Sequence, residues 1–251
     1  MQDTIQIIPI KQIKEIRQGD NLSHIIAESL QQQQLSFENN DILVVTQKIV
    51  SKAEGRIVDL ATVTPSSFAK HIAKNHKKDP RHIEIILQET KRIVRMDHGV
   101  IISETHHGFI CANAGVDESN IGNNHTVSLL PQDPDASAEH IRSGLKKITG
   151  KQLAVVISDT WGRPWREGQV NFAIGSSGLE VLQDYRGEKD PYGYDLQVSL
   201  IAIADELAAA AELVMGKTKK IPAAIIRGYS YSPSSTKAKK LIRDAKTDLF
   251  R

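Results

Sequence analysis

Asp159 and Thr160 close the apolar run Leu153-Ala154-Val155-Val156-Ile157 and open the segment SDTWGRPWREGQ at 158–169. A carboxylate beside a hydroxyl at the exit of a buried strand offers hard oxygen ligands on a rigid support, which suits magnesium or manganese. Asp117 lies in a second candidate strand exit, Ala114-Gly115-Val116-Asp117-Glu118-Ser119-Asn120, dense in oxygen-bearing side chains. Either the two acidic segments converge on one metal or each aspartate caps a turn, and residue chemistry leaves both readings open. Arg163 and Arg166 stand close to Trp161 and Trp165. Forked cations beside indole faces suit a clamp on a carboxylate or phosphate, or else a surface loop packed by its own tryptophans. Gly168, Gly175 and Gly178, around Ser176-Ser177, add flexible backbone able to approach an anion.

Lys48, Lys52 and Arg56 follow the β-branched run Ile42-Leu43-Val44-Val45. Cations there either neutralise triphosphate oxygens or form a solvated face. His106 and His107 are adjacent, and neighbouring side chains diverge on a strand, so the pair reads as a turn rather than as metal ligands. Cys111, on an apolar strand, reads as an inert core thiol.

The elements that must position these residues show in the hydrophobic spacing. Leu22, Ile25, Ile26 and Leu30 predict a helix over 22–34, and Ile42–Val45 a buried strand. A basic stretch from Pro65 to Lys91 reads as two helices divided at Asp79-Pro80. Residues 93–102 and 109–114 read as strands with turns at 97–99 and 106–108. A Ser-capped helix is expected over 137–148, closed by Gly150, and then a strand over 153–158. Leu196–Met215 reads as one long helix, Ala223–Arg227 as a strand, and Ser234–Phe250 as a basic terminal helix. The expected fold class is therefore α+β, with largely antiparallel sheets and surrounding helices, in a single domain over 1–251 divisible into two subdomains.

Composition bounds the function classes. The 251 residues are 40% hydrophobic and 25% charged, ordinary for a globular chain. The net charge of +2, from 32 basic and 30 acidic residues, provides no global field for nucleic acid. The single cysteine excludes an intrachain disulfide, and the start MQDTIQIIPIKQIKEIRQGD lacks a secretory pattern, so a cytoplasmic location is expected. Gln197, Asp205, Glu206 and Glu212 interrupt the longest apolar stretch, which argues against a membrane span. No Walker loop, G-x-G-x-x-G after a strand or H-E-x-x-H occurs, so a bound nucleotide would be held by another device.

Several motifs together resemble one family. They are VV-x4-VSKAEGR at 44–56, NAGVDESN at 113–120, SDTWGRPWR at 158–166 and FAIGSSG at 172–178, with KDPYG at 189–193, ADELAAAAELVMGK at 204–217 and IPAAIIRG at 221–228. Spanning nearly the whole chain, they are similar to the coenzyme F420-0:L-glutamate ligase (gamma-glutamyl ligase) family. The resemblance implies a GTP-dependent ligase, neither Rossmann nor P-loop. It would join L-glutamate to the carboxylate of a deazaflavin precursor through an acyl-phosphate, release GDP and phosphate, and extend by γ-linked glutamate. It implies a Mg2+ or Mn2+ held by Asp117, Asp159 and Thr160, with Asp159 and Lys52 as the catalytic residues. Nucleotide contacts carry over onto Ile13, Lys14, Glu15, Ile16, Gln47, Lys48, Lys52, Asn120 and the loop beginning at Lys217. Some relatives carry a carboxylate or amide where Lys217 stands. A protonated lysine cannot ligate a metal, so a phosphate contact is expected of it instead. The resemblance further implies a homodimer with intertwined sheets, in the stand-alone form without a C-terminal flavin-type domain. A related ligase with another carboxylate acceptor, or a non-catalytic guanine-nucleotide-binding module, are the alternatives.

Overall fold

A computed structural model of the chain describes residues 4–118 and 125–248. In chain order the elements are β1 (Gln6–Pro9), α1 (Leu22–Gln32), β2 (Ile42–Thr46), α2 (Gln47–Ala53), β3 (Ile57–Asp59), α3 (Ser67–His76) and α4 (Pro80–Gln88). Then come β4 (Thr90–Asp97), β5 (Val100–Thr105), β6 (Ile110–Ala112), β7 (Thr126–Ser128) and α5 (Pro134–Thr149). The chain continues through β8 (Ala154–Arg163), β9 (Arg166–Ser177), β10 (Gln183–Asp184), β11 (Leu200–Ile201), α6 (Ile203–Met215) and β12 (Ala223–Arg227).

The central sheet has five strands in the order β1-β12-β2-β8-β9. All its pairs are antiparallel except β2 with β8. Its middle strands are apolar at successive positions because both faces are covered. Leu43, Val45, Val155, Ile157 and Ile225 face a core shared with Leu22, Ile25 and Ile26 of α1 and Ile141 and Leu145 of α5. Ile42, Val44, Ala154, Val156 and Ile226 face Ala204, Leu207, Ala208 and Ala211 of α6 on the other side. The small side chains of α6 let it lie close to the sheet. A separate apolar cluster joins Ile72 of α3 and Ile83 and Ile86 of α4 to Ile101 of β5 and Val127 of β7, beside the antiparallel β4-β5-β6 meander. The class is α+β, as the sequence predicts, and Cys111 is buried in β6.

Five expectations change. The strand expected over 153–158 runs on to Arg163, turns through Pro164 and Trp165, and returns as β9, so SDTWGRPWREGQ is a hairpin rather than a polar loop. Gly175, Ser176 and Ser177 lie inside β9 and form no anion-tolerant loop. A Cβ at Gly175 would stand 2.3 Å from the Pro134 carbonyl oxygen, so glycine is what lets α5 approach. The Ser176 N–H already donates to Asp135 Oδ1 at 2.9 Å.

Helix α5 begins at Pro134 under an Asp133 cap, whose side chain accepts from Ala136 N at 3.0 Å, and Ser137 lies inside it. The helix expected from Leu196 starts only at Ile203, because Leu200 and Ile201 pair with Asp184 and Gln183 in a two-stranded sheet. Described residues of the expected terminal helix form only a 3-10 turn at Ala238–Leu241. Tertiary bonds hold that segment extended: Ala238 N donates to Asp135 Oδ1 at 2.8 Å and Thr236 Oγ1 to Glu180 Oε2 at 2.6 Å.

Candidate active site

Parallel pairing of β2 and β8 ends at Thr46 opposite Ser158. The carboxyl ends of this parallel pair therefore lie at one edge, the edge at which α/β sheets present ligand-binding groups. From β2 the chain enters α2, which begins with Gln47 and Lys48. From β8 it continues as the hairpin carrying Asp159 and Thr160. Asp117 reaches the same place through a backbone bridge to Ser128, the last residue of β7. Lys48 Nζ contacts Asp117 Oδ2 at 2.7 Å. Gln47 is 1% exposed, and its Nε2 has no hydrogen-bond partner among the described residues.

Asp159 is hemmed in by rings. His107, Phe109, Trp161 and Phe172 form a chain with successive centroids 5.8, 5.3 and 5.7 Å apart. Trp161 Nε1 donates to Asp159 Oδ2 at 2.7 Å. Burial pushes the Asp159 carboxyl up to about 6; hydrogen bonds from the Thr160 backbone and Trp161 oppose the rise, the charge of Asp117 adds to it, and Lys48 offsets part. The Cys111 thiol nearby is pushed up to about 12, first by burial and then by the Asp159 charge, so it stays protonated and unreactive. On the far side of Asp117, His82 Nδ1 of α4 meets Glu118 Oε1 at 2.7 Å, and burial lowers the imidazole pKa.

Thr160 faces the other way, as strand alternation requires. Its Oγ1 donates to Asn171 Oδ1 at 2.6 Å and accepts from Lys217 Nζ at 2.5 Å on the α6 side of the sheet. The set Asp117, Asp159 and Thr160 is thus split: the two aspartates share a face, and the threonine hydroxyl belongs to the opposite one. Among the described residues no three His, Cys, Asp or Glu side chains gather into a metal-holding cluster. Asp117 and Asp159 fit a hard divalent ion of the kind held by one or two carboxylates plus substrate phosphates. The rise that the Asp117 charge adds to the Asp159 carboxyl is the repulsion such an ion relieves.

Lys52 Nζ pairs with Glu15 Oε1 at 2.5 Å at the rim of a cavity of about 350 Å³. Glu15, Ile16, Gln18 and Thr126 contribute to its lining. Of the 13–16 segment, Glu15 and Ile16 reach this cavity, whereas Ile13 packs against the main core and exposed Lys14 turns to Asp20 at 3.3 Å. Asn120 lies outside the described residues. Arg56 is committed to Glu89 at 2.9 Å and to the Leu130 carbonyl at 3.0 Å, so it forms no triphosphate group with the two lysines. The two tryptophans of the hairpin are set apart. Trp161 belongs to the ring wall, while Trp165 is 79% exposed at the hairpin tip and Arg163 Nη2 donates to the Glu167 carbonyl at 3.2 Å. His106 and His107 lie at a turn and bind the Gln88 and Pro131 carbonyls at 3.0 and 2.9 Å.

A family model for F420-0:Gamma-glutamyl ligase matches residues 11–228. The chain belongs to this family. Among its relatives is a coenzyme F420:L-glutamate ligase of Methanothermobacter thermautotrophicus, 45% identical over 98% of this chain and 99% of the relative. Relatives with the same description from Methanopyrus kandleri and Methanocaldococcus jannaschii are 44% and 46% identical. They cover 99% and 92% of this chain and 98% and 90% of their own lengths.

In this F420-0:gamma-glutamyl ligase family member, sequence reasoning missed three residues at the site edge that the structure picks out. Asn171 is 2% exposed and joins Thr160 to the second, Glu212, its Nδ2 donating to Glu212 Oε2 at 3.1 Å. The available signal was a lone amide between Val170 and Phe172, in a segment that then turns apolar. His82, the third, sits in a basic stretch of ordinary composition, and only packing brings it beside Asp117.

Proposed function

We propose that the protein forms an amide between L-glutamate and the carboxylate of the deazaflavin precursor F420-0, with GTP as the energy source. The observation that carries this reading, beside family membership, is the convergence of Lys48, Asp117 and Asp159 at the shared carboxyl edge of β2 and β8. A carboxylate is a poor acylating agent until its oxygen becomes a leaving group. In the first step a carboxylate oxygen of F420-0 bonds to the γ-phosphorus of GTP and the β,γ-bridging P–O bond breaks, giving an acyl-phosphate and GDP. In the second, the glutamate ammonium loses a proton to solvent, its nitrogen bonds to the acyl carbon, the C–O bond to phosphate breaks, and the second proton shed by the nitrogen leaves with the phosphate. The same two steps on the new terminal side chain give γ-linked extension.

Both steps gather negative charge, so fixed cations are the central requirement. Lys48 and Lys52 open α2 and its cavity and face the triphosphate, with Glu15 released from Lys52 as the nucleotide enters. Asp117 and Asp159 hold Mg2+ or Mn2+, which when bound supplies charge neutralisation at the phosphates. Lys52 and Asp159 are the catalytic residues. The ring wall from Phe109 to Phe172 keeps water from the acyl-phosphate, which would otherwise hydrolyse. The working assembly is a homodimer in the cytoplasm, with small-molecule substrates and neither nucleic acid nor membrane as partner.

The test is to incubate the protein with GTP, manganese, glutamate and F420-0 labelled with oxygen-18 in the carboxylate. The expected result is GDP, a product heavier by one or more glutamates, and one labelled oxygen in the released phosphate. Product without label in the phosphate overturns the acyl-phosphate route. No product with GTP overturns the assignment.

A further inference from the structure

Four side chains on the α6 face of the hairpin form one hydrogen-bonded line: Lys217, Thr160, Asn171 and Glu212. Its polarity is dictated by chemistry. A protonated lysine only donates and an ionised glutamate only accepts. The Thr160 hydroxyl, accepting from Lys217 at 2.5 Å, must send its own proton to Asn171 Oδ1 at 2.6 Å. The Asn171 amide then has its nitrogen toward Glu212 at 3.1 Å, the only orientation that satisfies both neighbours. The line runs from an exposed cation just beyond the Gly216 cap of α6 to a half-buried anion in the last turn of that helix, through two residues of the hairpin.

We infer that Asn171 and Glu212 are positioning residues that fix Thr160 as an acceptor and thereby hold the Lys217 ammonium at the site edge to receive a nucleotide phosphate. The inference rests on the nucleotide reading above. A free lysine carries rotamer entropy that an anion must otherwise remove on binding. A lysine already anchored to a half-buried, oriented hydroxyl is organised before the phosphate arrives. Asn171 cannot be replaced in this role by an isosteric acid while Glu212 stands, because the substitution would place one carboxylate against another.

The test uses the full chain and a non-hydrolysable β,γ-imido analogue of GTP, with binding measured by calorimetry without divalent cation. Asn171→Asp is expected to weaken binding about tenfold, and Lys217→Met by a similar factor. The double variant Asn171→Asp with Lys217→Met is expected to bind no more weakly than Lys217→Met alone, since Asn171 acts through Lys217. The exchange Asn171→Asp with Glu212→Gln restores a donor opposite the acid and is expected to return affinity to within about threefold of the wild type. Melting curves identify any variant that is unfolded, and the exchange variant, in which every group is again paired, then carries the test. Wild-type affinity in Asn171→Asp, multiplicative effects of Asn171→Asp and Lys217→Met, or an exchange variant that folds but binds weakly would each overturn the inference while leaving the nucleotide reading intact. A wild-type protein that does not bind the analogue overturns that reading and this inference with it.

Discussion

Trp161 donates its indole N–H to the Asp159 carboxylate, two residues earlier on the same face of β8, at 2.7 Å. The bond opposes the burial that pushes this carboxyl up to about 6 and so favours the ionised form. Trp161→Phe keeps an aromatic ring between Phe109 and Phe172 but removes the donor. The Asp159 pKa in the metal-free protein is expected to rise by about one further unit, since a hydrogen bond to a charged group is worth about 1.5 kcal/mol. Carbon-13 NMR titration of labelled aspartate checks this; an unchanged or lower pKa contradicts the assigned role.

Asp159→Asn is expected to stabilise the metal-free protein. The folded pKa lies above the ordinary value of 3.8, so ionising Asp159 costs stability as pH rises from about 4 through about 6, and the full cost stands above that. The amide removes it while keeping an acceptor for Trp161. The gain is on the order of 1 kcal/mol at pH 7.5, discounted for a half-buried side chain, and disappears near pH 4. Urea unfolding at the two pH values measures both, and the same variant should lose metal-dependent turnover.

Glu180 behaves in the opposite sense. Hydrogen bonds from Thr236 and Lys240 hold its carboxyl down at about 2. Its contribution is therefore present above about 4.5 and lost as pH falls through about 2. Glu180→Gln should cost about 1 kcal/mol at neutral pH and less at about pH 2.5, a narrowing that paired urea midpoints would show.

Asp135 ties three elements together, accepting at Oδ1 from Ser176 N of β9 and Ala238 N of the terminal segment at 2.9 and 2.8 Å. Asp135→Ala leaves two buried N–H groups without this partner and should cost about 2–3 kcal/mol. Because Ala238 loses its anchor, trypsin should cut after the exposed Lys237 much faster than in the wild type. Unchanged digestion would show that the segment is held by other bonds.

Local sequence was enough for elements whose apolar pattern is self-consistent. Val44 and Val45 announce β2, Ile25 and Ile26 announce α1, and Ala223–Arg227 is β12 to the residue, because burial on both faces leaves a continuous apolar run. The residue types of Asp117, Asp159 and Lys48 named the candidate acids and cation, and the structure brings Lys48 to Asp117 at 2.7 Å. β9 stayed hidden because its glycines and serines, needed for the close approach of α5 and for bonds to Asp135, read locally as loop. The terminal helix failed for the same kind of reason: its basic residues favour helix, but the bonds of Ala238 and Thr236 to distant carboxylates outweigh that weak preference.

The amino-acid sequence by itself determined the chemistry available: carboxylates, lysines and tryptophans beside arginines, in motifs that fix the family. Tertiary structure alone decided how they are divided. Extending β8 past Ser158 puts Asp159 with Asp117 on one face and Thr160 with Asn171 and Lys217 on the other. Adjacent residues on a strand point apart, and whether 158–163 is strand or loop depends on the partner β9 supplies, which no local pattern reveals.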